Sequence, residues 1–153
     1  MIRKTLATLA LALTLALTAG VALAQFSAGQ TIYVPCSSAT FHGPKTRNLD
    51  LTVTLIVRNL DPKRTITVNS VDYHRTDGKL VRRFLDKPMQ LGPLAAKEFL
   101  VDQKDESGGT AASFLVRWKA EGAVNPALAE AVMISSSSGL GVSYVSRGVP
   151  IQE

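Results

Sequence analysis

Residues 49–59, LDLTVTLIVRN, alternate inward-facing apolar and outward-facing positions, and this alternation decides the fold class. The apolar row is Leu49, Leu51, Val53, Leu55 and Val57. A period of two in a segment rich in β-branched residues predicts a strand buried on one face, whereas a helix would scatter the same leucines around its axis. One polar face per strand favours antiparallel pairing, because strands of parallel sheets are continuous apolar runs.

Other segments of the chain repeat this pattern. Residues 32–36 predict a first strand, in which Pro35 marks an edge position or a bulge. Within residues 65–75 the inward parity changes near Asn69-Ser70, which predicts a β-bulge. Asp77-Gly78 predicts the tight turn of a hairpin. The remaining predicted strands cover residues 80–85, 96–101, 113–120, 132–134 and 142–147.

The strand count predicts an all-β domain. Residues 127–131 are rich in alanine and leucine and could begin a helix, but the β-branched and apolar residues 132–134 favour a strand there. About seven or eight short strands without a convincing helix predict an antiparallel β-sandwich of immunoglobulin-like type, with a small barrel as the alternative. We expect one domain over residues 25–153.

The N-terminal segment has the pattern of a signal peptide. Arg3 and Lys4 precede an apolar run over residues 6–17, and residues 22–24 form a small-x-small cleavage site. The run is shorter than the roughly 20 residues that a membrane-spanning helix needs. We therefore expect cleavage after Ala24, export to the periplasm or the medium, and no transmembrane segment in the mature chain.

Composition excludes two classes of protein. Cys36 is the only cysteine, so a framework of intramolecular disulfides is excluded. The formal net charge of +5 includes Arg3 and Lys4 of the signal peptide. The remaining charges of both signs are scattered, and nucleic-acid binding normally needs a concentrated basic stripe. We expect no nucleic-acid partner.

Several phrases of the sequence resemble an uncharacterised family of exported bacterial proteins, known only as a domain of unknown function. The phrases are Tyr33-Val34-Pro35, Ser70-Val71-Asp72-Tyr73, Gly78-Lys79-Leu80, Asp105-Glu106-Ser107-Gly108-Gly109, Phe114-Leu115-Val116 with Trp118, Glu130-Ala131-Val132-Met133-Ile134 and Ser146-Arg147-Gly148. The resemblance extends over nearly the whole mature chain and implies a single exported domain. It implies no activity, cofactor or catalytic residue.

Residues 102–110 form a polar loop whose carboxylates are the candidate metal ligands. Asp102, Asp105 and Glu106 supply hard oxygen atoms that suit calcium, although Lys104 interrupts them. A solvated turn that uses its glycines for positive φ is the alternative interpretation. A copper site would need softer donors. Those donors are Cys36, His42, His74, Met89 and Met133.

Two further residue sets are candidates for covalent chemistry. Asp72 and His74 share one strand face and could orient and supply a base, with a serine from residues 135–138 as nucleophile. The simpler interpretation is a solvated pair on the outer face. Cys36 is in phase with inward-facing residues, so we expect a buried thiol, with pairing between chains as the alternative.

The sequence therefore favours an exported, non-enzymatic β-sandwich that acts as an accessory or interaction module of the cell envelope, without a cofactor. Its partner would be another envelope protein that pairs with an exposed strand edge, either the first strand or residues 142–147. The alternative is a small-ligand or metal-ion binding protein that uses the loop of residues 102–110. No residue is predicted to be catalytic.

Overall fold

The computed structural model describes residues 26–43, 47–137 and 140–152, which form twelve strands and one short 3₁₀ turn. The predicted signal peptide lies outside these residues. The strands are β1 (Ser27–Cys36), β2 (Ala39–His42), β3 (Arg47–Asp50), β4 (Thr52–Arg58), β5 (Ile66–His74), β6 (Leu80–Arg83), β7 (Met89–Leu91), β8 (Ala96–Val101), β9 (Ala112–Val124), β10 (Leu128–Ser137), β11 (Leu140–Arg147) and β12 (Val149–Ile151).

The strands form an antiparallel β-sandwich, as predicted. The first sheet has the order β12-β1-β9-β5-β6, with β7 also paired to β5, and the second sheet has the order β11-β10-β4-β8. Strands β2 and β3 form a separate hairpin. The finer prediction of an immunoglobulin-like type stays a prediction. Within the described ranges no helix is long and apolar enough to cross a membrane.

The alternating segment that decides the fold class spans β3 and β4. All five inward positions predicted from residues 49–59 are buried, and β4 lies between β10 and β8 in the second sheet. Phe114, Val116 and Trp118 of β9 are buried on the facing side of the first sheet. The core is the layer between these two rows, because each strand presents one apolar face to the other sheet.

The predicted bulge and hairpin in the first sheet are both confirmed. Pairing between β5 and β9 shifts register between Val68 and Ser70, and burial changes parity there. Gly78 has φ of +80°, which the turn between β5 and β6 requires and which glycine adopts without steric cost. The Gly78 amide donates to the Arg75 carbonyl at 2.8 Å, which closes the turn.

Residues 128–131 belong to β10 rather than to a helix. Each of these residues pairs with β4, and Ala129 and Ala131 are buried between the sheets. Tertiary pairing thus overrides the helix propensity of alanine. Strand β10 also continues to Ser137, and residues 138 and 139 lie outside the described residues.

The chain changes sheets at Gly148. Strand β11 pairs with β10 in the second sheet, and one residue later β12 pairs with residues 31–33 of β1 in the first sheet. The Gly148 amide donates to the Ala129 carbonyl at 2.8 Å. A methyl group on Gly148 would lie 2.6 Å from Cγ2 of Ile32 and 2.8 Å from Cγ2 of Val34. The crossing therefore requires a residue without a side chain.

Candidate functional site

Strand β11 is an open edge of the second sheet. It pairs with β10 on one side, and no described strand pairs with its other side. Ser143, Tyr144 and Val145 in its middle are exposed, and Val145 is 60% exposed. An edge of this kind presents unpaired backbone N–H and C=O groups to any approaching chain.

The hairpin that carries this edge has no charged residue between Glu130 near the start of β10 and Arg147 at the end of β11. The eight residues of β11 also include no proline. This uncharged stretch was the sequence signal for an interaction edge, and the sequence prediction did not use it. Natural edge strands normally carry charged residues, proline, bulges or very short lengths that prevent pairing with another chain.

The other edges of the sandwich have these protective features. Strand β6 is four residues long and exposes Arg82 and Arg83. Strand β8 exposes Lys97 and Glu98. Strand β7 has three residues, and β12 has three residues with Pro150 at its centre. Among the described edges, β11 alone combines length with freedom from charge and proline up to its last residue.

Apolar side chains lie on the outer face next to the edge, in a row that one threonine interrupts. One cross-strand row runs through the second sheet, with Val145 opposite Val132, Val132 opposite Thr54, and Thr54 opposite Leu100. Leu100 is 53% exposed, and Ile134 in the adjacent row is 50% exposed. Apolar cross-strand neighbours on a sheet surface stabilise pairing, so this row favours a further strand beyond β11.

A groove of about 390 Å³ lies on the inner side of the same edge. Its lining includes Tyr33, Pro35, Cys36, Met133 and Tyr144. The prediction that the first strand is an exposed edge is wrong for residues 31–33, because β1 lies between β12 and β9; only the end of β1 that contains Pro35 extends beyond the pairing with β12. Inward-facing side chains of a strand added to β11 would enter this groove.

The carboxylates of the predicted metal loop make contacts within the protein. Asp102 accepts the Lys104 amide at 2.9 Å, and Asp105 caps the 3₁₀ turn over Glu106–Gly108. The second oxygen of Asp105 lies 2.7 Å from Nη2 of Arg82. Glu106 is exposed in the first turn. The calcium hypothesis for Asp102, Asp105 and Glu106 stays a prediction.

Glycines hold the same loop against the first sheet. The Ser38 amide donates to the Gly109 carbonyl at 2.9 Å, and the Gly109 amide donates back to the Ser38 hydroxyl at 2.9 Å. A side chain on Gly108 would overlap the buried Tyr73 hydroxyl. The phrase Asp105–Gly109 thus has a structural role, because it closes the loop over Tyr73. Burial raises the pKa of Tyr73 to about 12.

The interpretation of Asp72 as a solvated residue is wrong. Asp72 is only 8% exposed, and its Oδ2 lies 2.9 Å from Nη1 of Arg117, with Arg83 at 3.7 Å from Oδ1. A buried carboxylate needs such a cation to offset the loss of hydration. His74 is half-buried, and its Nδ1 has no hydrogen-bond partner among the described residues.

Ser135, one of the serines of residues 135–138 proposed to meet this pair, faces a different direction. Ser135 is buried in phase with Ala131 and Met133 on the inner face of the second sheet, whereas His74 follows Asp72 on the outer face of the first sheet. The Ser135 hydroxyl accepts a hydrogen bond from the Gln103 amide at 3.4 Å. The structure therefore does not bring Ser135 to the Asp72–His74 pair, and position 138 lies outside the described residues.

Cys36 is buried, as predicted, at 5% exposure. Burial raises the pKa of its thiol to about 12, so the reactive thiolate is disfavoured. Of the other soft donors, His42 lies in β2, Met89 in β7 and Met133 in β10. Within the described part of the chain, no three or more histidine, cysteine or acidic side chains converge on a possible metal position.

Comparisons with known proteins agree with the resemblance seen in the sequence. Residues 29–151 match the family described as "Protein of unknown function (DUF3124)". The search of curated proteins gave no match. A solved structure described as "Crystal Structure of Thermotoga maritima 1070" is similar at 11% identity with a TM-score of 0.49. The similarity covers 78% of this chain and 92% of that one.

Proposed function

Since the chain belongs to this family, whose description assigns no activity, we propose from its own surfaces that it is an exported, non-enzymatic interaction module of the cell envelope. It binds another polypeptide by adding a strand to β11. The observation that carries this proposal is the long edge of the second sheet, which has no charge before Arg147 at its end. Strand addition supplies affinity through main-chain hydrogen bonds and specificity through alternate side chains.

Side chains that could take part in catalysis or metal binding form ion pairs or are buried in the fold, which supports a binding role. Asp72 pairs with Arg117, Asp105 pairs with Arg82, and the Cys36 thiol is buried. In these positions the two ion pairs and the buried thiol contribute to the stability of the fold. The signal-peptide pattern of residues 1–24 supports export.

A charged substitution at the centre of the edge tests the proposal. We suggest expressing the tagged chain in cells of its source, crosslinking it, and identifying what co-purifies for wild type, Val145→Lys and Leu100→Lys. Both substitutions place lysine at an exposed position of the same apolar row, one on the open edge and one on β8. We expect wild type and Leu100→Lys to retain the crosslinked chain and Val145→Lys to lose it.

The control for folding is the melting temperature, which we expect to be similar for all three proteins because both side chains are exposed. Undiminished crosslinking of a folded Val145→Lys variant would overturn the proposal. A point substitution is preferable to removal of residues 142–153, because that truncation also removes β12 and uncovers β1.

A further inference from the structure

We propose that the chain bound at β11 is a second copy of this protein, paired antiparallel about a two-fold axis so that two second sheets join into one of eight strands. This inference rests on the proposed function, since it identifies the partner of the same edge. It is argued from the number of open edges, the sequence of β11 and the groove beside it.

The number of open edges predicts a closed assembly. Among the strands that the structure describes, each molecule has one long edge without charge or proline in its middle, whereas β6 and β8 carry charges and β7 and β12 are short. When a surface pairs with its own copy about a two-fold axis, each copy covers the surface of the other, so neither can bind a third copy there. The protected edges then prevent further growth, so the expected product is a dimer and not a fibre.

The sequence of β11 is compatible with pairing to itself. In an antiparallel pair about an axis perpendicular to the sheet, facing residues lie on the same side of the sheet. A register centred on Val145 places Val145 opposite its own copy, Arg147 opposite Ser143, and Tyr144 opposite Ser146. Arg147 is the only charge of the strand, and this register keeps the two arginines apart.

The same register joins the apolar rows of the two molecules. The row that runs from Leu100 through Thr54 and Val132 to Val145 continues directly into Val145 of the second copy. Val145 is 60% exposed in the single chain, so pairing would bury apolar surface on the outer face. Burial of apolar surface is the main favourable term in association.

The groove on the inner face receives an aromatic side chain in this arrangement. Tyr144 of the second copy lies opposite Ser146, which lines the groove of about 390 Å³ together with Tyr33 and Pro35. Tyr144 is partly exposed in the single chain. Aromatic residues that fill a pocket at the centre of an interface are its usual source of affinity.

A cysteine placed on the axis tests both the partner and the register. Facing residues of an antiparallel pair have Cα atoms about 4.5–5.5 Å apart, which lies within the range for a disulfide. We expect Val145→Cys to form a disulfide-linked dimer on oxidation. The matched control is Ser143→Cys, which is exposed on the same face but is displaced from its copy by roughly 13 Å along the strand. Wild type, with only the buried Cys36, is the blank.

Sedimentation of purified mature chain over a concentration series gives the second measurement. We expect a concentration-dependent dimer for wild type and Leu100→Lys, and its loss for Val145→Lys, which would bring two lysines together across the axis. A wild-type monomer at every concentration, or equal disulfide formation by Val145→Cys and Ser143→Cys, would overturn this inference. If that monomer still lost its crosslinked partner in cells through Val145→Lys, the proposed function would stand with a different partner.

Discussion

Val145 lies opposite Val132 of β10, and on its other flank no described strand pairs with it. The pair stands at one end of an apolar row that crosses the whole second sheet to Leu100. At that end the backbone of β11 is open, whereas the β8 edge at the other end carries Lys97 and Glu98. The charges on β8 protect that edge from pairing with another chain, whereas the middle of β11 has no charge and is suited to pairing.

Replacement of Gly148 by alanine tests the point where the chain changes sheets. The new methyl group would lie 2.6 Å from Ile32, 2.8 Å from Val34 and 2.9 Å from the Ala129 carbonyl oxygen, so these groups must move. We expect a loss of about 1–3 kcal/mol in the free energy of unfolding, measured by urea denaturation. The control is Gly141→Ala, whose methyl group would meet nothing within 4 Å. Equal stability of both variants would contradict the close crossing.

Asn59 joins the loop between β4 and β5 to the end of β7 and the loop that follows it, and its removal should lower stability. It is 1% exposed, and its Nδ2 lies within hydrogen-bond distance of the carbonyls of Arg64, Leu91 and Gly92. Each buried carbonyl that loses its donor costs about 1–3 kcal/mol. We expect Asn59→Ala to lower the free energy of unfolding by about 2 kcal/mol or more, and the exposed Asn48→Ala to leave it nearly unchanged.

Protonation of the Asp61 carboxylate at low pH should lower the free energy of unfolding. Hydrogen bonds to its carboxylate, that from the Lys63 amide first, lower its pKa below the ordinary value of 3.8. A group whose pKa is lowered on folding stabilises the protein above its unfolded pKa, and this contribution is lost as the pH falls through the folded pKa. We expect the free energy of unfolding to fall below pH 3.8 more steeply for wild type than for Asp61→Asn. Parallel pH profiles would contradict the role assigned to Asp61.

Cys36 should react only when the protein unfolds. Its thiol is buried and its pKa is raised to about 12, so both access and ionisation are unfavourable in the folded state. We expect Ellman's reagent at mildly alkaline pH to label native protein far more slowly than protein unfolded in urea. Equal rates would show an accessible thiol and would favour the alternative of pairing between chains.

Local patterns in the sequence predicted the local structure. The alternation of residues 49–59 predicted a buried row, because each inward position had to contact the facing sheet. The parity change near Asn69-Ser70 predicted the bulge, and Asp77-Gly78 predicted the turn. Each of these predictions depends on residues that are close together in the chain.

Features that depend on distant pairing could not be predicted in the same way. Strand β12 is three residues with a central proline, and only its pairing with residues 31–33 makes it a strand. Asp72 is buried because Arg117 lies near it from β9, a neighbour that the alternation of β5 does not reveal. Residues 142–147 were predicted from the sequence as a possible edge. The absence of charge between Glu130 and Arg147 indicates a pairing edge only together with the sheet order, which places β11 at the end of the second sheet.

The most direct test of the pairing edge is site-specific photocrosslinking in cells of the source. A photoreactive amino acid replaces Ser143 on β11 or Lys97 on β8, both exposed positions on edge strands of the second sheet. We predict a discrete crosslinked product from position 143, which mass spectrometry identifies as a second copy or another envelope protein, and none from position 97. Absence of a product from position 143, or the same products from both positions, would contradict the assignment of β11 as the binding edge.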